Sequence, residues 1–445
     1  MKKKKVLKVL GIIAIVIVGY YFAVFIGNRI CNRNLIKYIE SFEKVSYEDN
    51  RPVPKMEDGH YTFTTDEEFT VMHLTDIHIG GGIYSYKRDK KAIYEVITML
   101  QKEKPDLVIL GGDNTYCVSK IGYNGGGCFD NGMVARTVIN IFNHEGVYFS
   151  TVFGNHDTES IDTCDRQEIG DVYMDPEYEY CIFNQEFTDG DADTVPSISN
   201  QFIVLKNTSG EITKLIMLMD SNAYESTSMI SSILGKYDVI HDAEVEWAKE
   251  TITDLSKKQG LPEGEYLKTI AFFHIPIGEF RTALDDLICE NRDEEGNIMS
   301  FEQKTSSADT EYIEGFWGEK LVCFGGLKNT SVLPEKQDML FESLCDDMHS
   351  LEAVFCGHDH LNSAVVKYKG VILDYGYSID NIAYGNDISN SGLQRGATVI
   401  TINSDGKIDQ MHKNAYIDYG CDTDIYVPVY LDHVMKPDEY RTVTK

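Results

Sequence analysis

Residues 69–78 read FTVMHLTDIH, an apolar segment that runs directly into the polar residues Asp76 and His78. The apolar part, residues 69–74, has the length and composition of a buried strand. If the strand end stays extended, side chains at i and i+2 point the same way, so both polar groups can reach one cation. An Asp-x-His triplet alone is weak, but a buried strand followed by candidate metal ligands recurs along the whole chain.

The next segments alternate between helix and strand patterns. The predicted elements are helices at 88–102 and 133–142 and strands at 107–110 and 147–153. The first of these strands precedes Gly-Gly-Asp-Asn, with Asp113, and the second precedes Gly-Asn-His-Asp, with Asn155. Because ligands bind at the carboxyl ends of strands in open α/β sheets, these blocks are predicted to meet at one edge.

The second half of the chain continues the pattern. It predicts strands at 201–205, 214–219, 269–273, 353–356, 363–368, 371–373, 397–402 and 408–412, with helices at 243–255 and 339–348. The strand at 269–273 ends at His274, and the strand at 353–356 leads into Gly-His-Asp-His, with His358 and His360. Acidic or glycine-rich insertions are predicted to be loops around the site, at 115–132, 160–198, 222–242 and 290–335.

Carboxylate, amide oxygen and imidazole are the ligand types that hold two small cations close together. Such a pair can activate a water and bind a phosphate at once, so the pattern predicts a dinuclear phosphoester hydrolase. His156 follows Asn155 directly and is free to act on the substrate rather than on a metal. A lone histidine such as His274 is more often a hydrogen-bonded structural residue, so the prediction depends on the five blocks together.

Residues 9–26 are uncharged and strongly apolar, and the segment extends back to residue 6 if Lys8 snorkels. Roughly 20 helical residues span a bilayer. The segment lacks a small-x-small cleavage site and a polar face, which favours an uncleaved signal anchor over a signal peptide or a core helix. The lysines before it favour a cytoplasmic N-terminus and an extracytoplasmic domain, although Arg29 and Arg33 weaken the charge contrast.

The predicted organisation is a basic cytoplasmic start at 1–5, a transmembrane signal anchor at 6–26 in the lipid bilayer, a juxtamembrane helix and tether at 27–60, a catalytic domain at 61–415 and a C-terminal extension at 416–445. The 445 residues carry a formal charge of −30. That charge repels nucleic acid, so none is expected as a partner. It allows a phosphate substrate, because bound cations invert the local field.

The ten cysteines form no Cys-x-x-Cys pair, so neither a zinc knuckle nor a thioredoxin-type motif is expected. Cys117 with Cys128, and Cys164 with Cys181, could close disulfides in an oxidising compartment. The sequence alone leaves this pairing open.

The blocks Asp-x-His, Gly-Asp, Gly-Asn-His, His and Gly-His-x-His occur here in that order. From residue 70 to about 412 the chain therefore resembles the calcineurin-like metallophosphoesterase superfamily. Phrases such as Gly-Asn-His-Asp-Thr-Glu-Ser and Met-Asp-Ser-Asn-Ala-Tyr are similar to its purple-acid-phosphatase-like branch. The resemblance implies an α/β fold, a four-layer αββα sandwich of two mixed sheets flanked by helices.

The resemblance also implies a ligand set. One metal would be held by Asp76, His78, Asp113 and His360, and the other by Asp113, Asn155, His274 and His358. A hydroxide bridging the two ions would attack phosphorus, and His156 would donate a proton to the leaving oxygen. Asp157 or Asp359 would orient an imidazole. Manganese, iron and zinc all stay open.

Tyr116 matches a tyrosine that binds ferric iron in true purple acid phosphatases. Those enzymes lack a histidine at the position of His78, which argues against the ferric form here. The expected activity is hydrolysis of a small phosphorylated substrate, first a phosphomonoester. A phosphodiester or nucleotide substrate is the alternative, and a non-catalytic membrane-tethered binding protein is a further one.

Overall fold

The computed structural model describes residues 2–48, 50–117, 128–159, 162–190, 196–224, 237–292, 295, 298–315, 338–360, 362–383, 395–421 and 442–444. Its helices are α1 Lys2–Ile39, α2 Tyr86–Glu103, α3 Asn131–Glu145, α4 Arg166–Tyr173, α5 Asp242–Gln259, α6 Gly278–Leu287 and a short π-helix Glu342–Asp347. Its strands are β1 Lys55–Glu57, β2 His60–Thr64, β3 Phe69–Leu74, β4 Leu107–Gly111, β5 Phe149–Val152, β6 Phe187–Asp189, β7 Ser197–Lys206, β8 Ile212–Leu218, β9 Thr269–Phe272, β10 Ile288–Arg292, β11 Ile298–Gln303, β12 Thr310–Glu314, β13 Leu351–Cys356, β14 Val365–Tyr368, β15 Val371–Tyr375, β16 Gly396–Ile402, β17 Ile408–Asn414 and β18 Thr442–Thr444.

Two mixed sheets form the centre of the fold. The five-stranded sheet has the order β17-β16-β3-β4-β5, in which β3, β4 and β5 are parallel. The ten-stranded sheet has the order β1-β2-β7-β8-β9-β13-β15-β14-β12, with β6 paired to β7. In it β8, β9, β13 and β15 are parallel. A separate three-stranded sheet has the order β10-β11-β18.

Three apolar clusters separate four layers. One joins α1, α2 and α3 to the outer face of the five-stranded sheet, a second lies between the sheets, and a third joins α5 and α6 to the ten-stranded sheet. Along β3, Val71 belongs to the inner cluster and Met72 to the helix-facing one. Such strands are apolar throughout because both faces are buried. The predicted αββα sandwich is confirmed.

The N-terminal segment differs from the sequence expectation in two respects. A single helix, α1, occupies both the predicted anchor and the predicted juxtamembrane helix, because Leu35 and Ile39 continue its apolar face and pack into the domain. The predicted tether contains the hairpin β1–β2, closed by Asp58 and Gly59 with φ of 52° and 93°. Positive φ at both central residues is the geometry of a tight hairpin turn.

Two predicted loops contain regular structure. The insertion at 160–198 includes α4, which begins at a capping box in which Asp165 accepts from the backbone of Glu168 and Glu168 accepts from that of Asp165. The insertion at 290–335 includes β11 and β12. Cys117, Cys128, Cys164 and Cys181 are free thiols. Most of the predicted C-terminal extension, from residue 422 to 441, lies outside the described residues.

Candidate metal centre

The loops that follow five strands meet at one edge of the sandwich. Those after β3, β4 and β5 of the five-stranded sheet contribute Asp76, His78, Asp113, Asn155 and His156. Those after β9 and β13 of the ten-stranded sheet contribute His274, His358 and His360. All of these side chains are buried except His156, which is half-buried. The structure thus places the loops that carry all seven predicted ligands at one edge.

Two groups of candidate ligands share Asp113. Asp76, His78, Asp113 and His360 form the first, and Asp113, His274 and His358 form the second; within each, the ligand atoms lie within 4.8 Å of one another. In the first, His360 Nε2 lies 2.9 Å from Asp76 Oδ1. Asp113 Oδ2 connects both groups, because it lies 3.3 Å from His78 Nε2 and 3.2 Å from His274 Nε2.

Asn155 provides an independent test of whether the site fits metal ions. Its Nδ2 donates to the hydroxyl of Tyr224 at 3.1 Å, whereas its Oδ1 is buried with no hydrogen-bond partner among the described residues. Burying an acceptor without a partner is costly. A cation next to Oδ1 would satisfy it, and the surrounding carboxylates and imidazoles suit small transition-metal ions. The residues present therefore fit a pair of such ions.

The backbone at the ligands departs from the extended geometry expected for Asp76 and His78. Both have a φ of 53°, and Asp113 and His358 have φ of 50° and 73°. Non-glycine residues in this region are uncommon and cluster at functional sites, where the surrounding structure holds them. Here Asp76 N donates to Gly112 O and His78 N to Asp113 O, both at 3.0 Å. These bonds tie the first two ligand loops together.

Asp380 contacts two histidines of the first ligand group on the ring nitrogen that faces away from the group. The sequence did not predict this residue. Its carboxylate oxygens lie 3.4 Å from His78 Nδ1 and 3.2 Å from His360 Nδ1. Burial alone would lower the pKa of His78, but Asp113 and Asp380 raise it to about 9. Burial would raise the pKa of Asp76, yet His360 lowers it to about 2. Three buried carboxylates therefore favour positive charge at this position.

His156 is held by two carboxylates. Its backbone N donates to Asp113 Oδ1 at 2.7 Å, and its Nδ1 lies 2.7 Å from Glu159 Oε1. The sequence expectation gave the orienting role to Asp157 or Asp359. The carboxylate of Asp157 instead accepts hydrogen bonds from the backbone N of Gly154 and of Thr115. It therefore joins two ligand loops. Glu159 is the carboxylate partner that the structure gives to His156.

Tyr116 contacts the rings of His78 and His156, whose centroids are 5.6 Å apart. Its ring is parallel to that of His78, with centroids 4.8 Å apart, and meets the edge of the His156 ring at the same separation. Burial raises the pKa of its hydroxyl. The described contacts of Tyr116 therefore order the two imidazoles.

Arg166 on α4 anchors the loop before Asn155 and was also missed. It is fully buried, and its Nε donates to Asp220 Oδ2 at 2.8 Å. Its terminal nitrogens donate to the carbonyls of Gly154 at 3.0 Å and Phe153 at 3.1 Å. The sequence offered one signal, since Asp220 lies in the Met-Asp-Ser-Asn-Ala-Tyr phrase, but Arg166 itself lies in a segment predicted to be a loop.

Comparison with known proteins places this geometry in context. A family model described as calcineurin-like phosphoesterase matches residues 69–362, a range that includes every candidate ligand. Phosphatase DCR2 of Saccharomyces cerevisiae is 26% identical over 310 residues, covering 67% of this chain and 45% of that protein. "Probable inactive purple acid phosphatase 28" of Arabidopsis thaliana is 23% identical over 342 residues, covering 73% of each chain. "Probable inactive purple acid phosphatase 29" of the same plant is 22% identical over 377 residues, covering 78% of this chain and 79% of that protein.

Proposed function

Because this chain belongs to the calcineurin-like phosphoesterase family, we propose that it is a membrane-anchored phosphomonoesterase with a two-metal centre. The observation that carries the proposal is the pair of buried ligand groups that share Asp113. All seven candidate ligands of the five blocks are present in the sequence, and six of them belong to these two groups.

The proposed ligand sets follow from these groups. Asp76, His78, Asp113 and His360 hold one ion, and Asp113, Asn155, His274 and His358 hold the other. Two such ions would supply a nucleophilic water at neutral pH and neutralise charge on the phosphate. Manganese, iron and zinc all suit oxygen and imidazole ligands, so geometry and supply select among them.

The chain's own residues supply the proton chemistry. His156 is half-buried, and its backbone bond to Asp113 places it next to the shared ligand. Because Nδ1 of His156 contacts Glu159, Nε2 is the ring nitrogen that is left to exchange a proton with a substrate. We assign His156 the donation of a proton to the leaving oxygen, a role that typically contributes about 10²- to 10⁴-fold in rate.

The anchor is the second part of the proposal. Within residues 6–39, α1 contains an 18-residue window with a mean hydropathy of 2.7, of which 6% is buried. A signal sequence would meet the same criterion. The C-terminal part of α1 packs into the domain through Leu35 and Ile39, which supports retention of the helix. We therefore propose an uncleaved anchor, a cytoplasmic N-terminus and an extracytoplasmic catalytic domain at 61–415.

A turnover assay of the full-length chain tests the activity. With manganese or iron(II) added, p-nitrophenyl phosphate should be hydrolysed faster than bis-p-nitrophenyl phosphate, and a chelator should abolish both reactions. Faster hydrolysis of the diester would replace the monoesterase assignment by the phosphodiesterase alternative.

The names of the two plant relatives favour a second candidate function, a non-catalytic membrane-tethered binding protein. Metal analysis combined with the same assay separates the two. Two bound ions with no turnover on either ester would support the binding protein. Two bound ions with turnover that is lost in His156→Ala would support the enzyme.

A further inference from the structure

The direction of α1 relative to the catalytic domain follows from contacts at two levels. Arg29 pairs at 2.9 Å with Asp130, the residue that caps the start of α3. Just beyond the end of α1, the carbonyl oxygen of Phe42 lies 3.1 Å from Nε2 of His144, near the end of α3. The two helices therefore run parallel, side by side.

The same contacts relate α1 to the candidate metal centre. We call the carboxyl ends of β3, β4, β5, β9 and β13, where all candidate ligands lie, the site edge. Since α3 follows β4, its first residues lie at the site edge. Ile83, in the loop after His78, donates its backbone N to Asn28 Oδ1 at 3.0 Å, so Asn28 also lies there.

The far edge of the domain contacts the chain after α1. Arg51 donates to the carbonyls of Asp106 at 3.2 Å and Gly146 at 2.7 Å, which lie one residue before β4 and three residues before β5. Val53, two residues further on, is 58% exposed. From Asn28 towards the N-terminus, α1 therefore leaves the domain at the site edge. The opposite edge, which Arg51 contacts, faces away from the apolar segment.

The apolar segment at 6–26 ends two residues before Asn28, roughly 3 Å along the helix axis. Exposed apolar side chains surround this exit: Ile83 is 40% exposed, Tyr84 54% and Phe129 36%. The hydroxyl of Tyr84 contacts that of Tyr20 on α1. Tyrosines are enriched where protein meets the membrane–water interface, so this rim has the composition of a surface at the head-group level.

We propose that the site edge faces the bilayer and that the natural substrate is a phosphomonoester carried by a membrane lipid. The substrate class rests on the phosphatase and the anchor proposed above. A chain with a formal charge of −30 is not drawn to anionic lipid by its charge. The contacts of α1 with α3, rather than charge, therefore hold the metal centre near the membrane surface.

Orientation is measured without turnover, on the full-length chain in nanodiscs of phosphatidylcholine with and without brominated acyl chains. Tyr84→Trp adds a fluorophore at the site edge, and Val53→Trp adds one at the far edge. After subtraction of the parent's emission, bromolipid should quench the tryptophan added at position 84 and leave that at position 53 unchanged. Equal quenching at both positions, or stronger quenching at 53, would overturn the orientation.

The substrate class is measured as phosphate release from phosphatidic acid in the same nanodiscs, with p-nitrophenyl phosphate as the soluble probe. Tyr84→Asp should lower turnover of the lipid about tenfold, because a charge at the interface resists burial, and leave the soluble reaction unchanged. Val53→Asp is the matched control and should change neither. Phe129→Asp serves as a second variant at the site edge.

Two outcomes would overturn the lipid assignment in distinguishable ways. Hydrolysis of the soluble ester without hydrolysis of phosphatidic acid would reject the lipid substrate and leave the phosphatase intact. Hydrolysis of neither ester by the metal-loaded chain would reject the phosphatase itself, and the lipid substrate with it.

Discussion

Oε1 of Glu159 lies 2.7 Å from Nδ1 of His156, and the two residues are three positions apart in the chain. The hydroxyl of Tyr224, which also holds Asn155, approaches the same Oε1 at 3.4 Å. One carboxylate therefore aligns the proposed proton donor and, through Tyr224, contacts a proposed metal ligand.

The role of His156 leads to the first prediction. His156→Ala should keep both ions, because its side chain is outside the two ligand groups, and should lower turnover roughly a hundredfold or more. Metal content is measured by elemental analysis and turnover with p-nitrophenyl phosphate. His144→Ala, on α3 near the far edge, is the control and should retain full activity. Undiminished turnover in His156→Ala would remove the histidine from the mechanism.

Glu159 leads to the second prediction. Glu159→Gln keeps the shape of the side chain but removes its charge, so Nδ1 of His156 loses its carboxylate partner. Turnover should fall about tenfold or more, by less than in His156→Ala, and the double variant should be no slower than His156→Ala alone. If the two losses multiply in the double variant, Glu159 acts independently of His156.

Asp380 leads to the third prediction. Because the two carboxylate oxygens of Asp380 contact His78 and His360, Asp380→Asn should lower the binding affinity of the first ligand group for its ion by about 10- to 100-fold. The fold should be kept. Competition titration with a chromogenic chelator measures the affinity of each ion. The control is Asp374→Asn, which removes a buried carboxylate next to His412, outside the ligand groups. Equal metal affinity in wild type and Asp380→Asn would contradict the assigned role.

The buried pair of Arg166 and Asp220 leads to the fourth prediction, one of stability. Arg166→Met leaves the Asp220 carboxylate buried without its cation and should cost about 3 to 5 kcal/mol of unfolding free energy. Arg136→Met breaks the exposed contact with Asp175, 3.7 Å long, and should cost about 1 kcal/mol or less. Denaturant titration measures both, and equal costs would show that the buried pair is not an anchor.

His241 leads to a fifth prediction, on pH. Asp238 raises the pKa of His241 to about 9, with Asp189 on the other ring nitrogen. A raised histidine pKa means that the folded state holds the proton more tightly, so this stabilisation is complete below about pH 6.5 and is lost as pH rises through about 9. His241→Asn should therefore cost about 2 kcal/mol near pH 6 and much less above pH 9.

The control for this pH dependence is Thr251→Val on α5, because the hydroxyl of Thr251 donates to the carbonyl oxygen of Trp247 and does not titrate in this range. Its cost should change little over the same range. A cost of His241→Asn that is independent of pH would refute the proposed linkage.

The fold was predictable because its strands are apolar on both faces and each ends at a polar block. The segment around β3 illustrates this, since the predicted and observed strand have the same bounds, Phe69–Leu74. Within each sheet, the meeting of the candidate ligand blocks was predictable for a related reason, because the carboxyl ends of neighbouring parallel strands share an edge. The backbone at Asp76 and His78 was not, because left-handed φ values are imposed by hydrogen bonds to the neighbouring loop.

The supporting residues were beyond sequence reasoning. Asp380 lies 20 residues after His360 and has no ligand-like neighbourhood in the sequence. Arg166 reaches Asp220 over 54 positions. Such contacts depend on how the loops fold over one another, and local periodicity carries no information about that. Glu159 is close to His156 in sequence. Whether Glu159 or Asp157 is the carboxylate next to the imidazole depended on the backbone amides, which bind Asp157 and leave Glu159 to contact His156.

Each ligand group draws on both halves of the sandwich. The first takes Asp76, His78 and Asp113 from the five-stranded sheet and His360 from the ten-stranded one, and the second joins Asp113 to His274 and His358. Neither half assembled alone could capture an ion with its full set. Ion uptake would therefore indicate that the two sheets have assembled. A tightly bound ion would stabilise the contact between the sheets, and its release would lower the free energy needed to separate them.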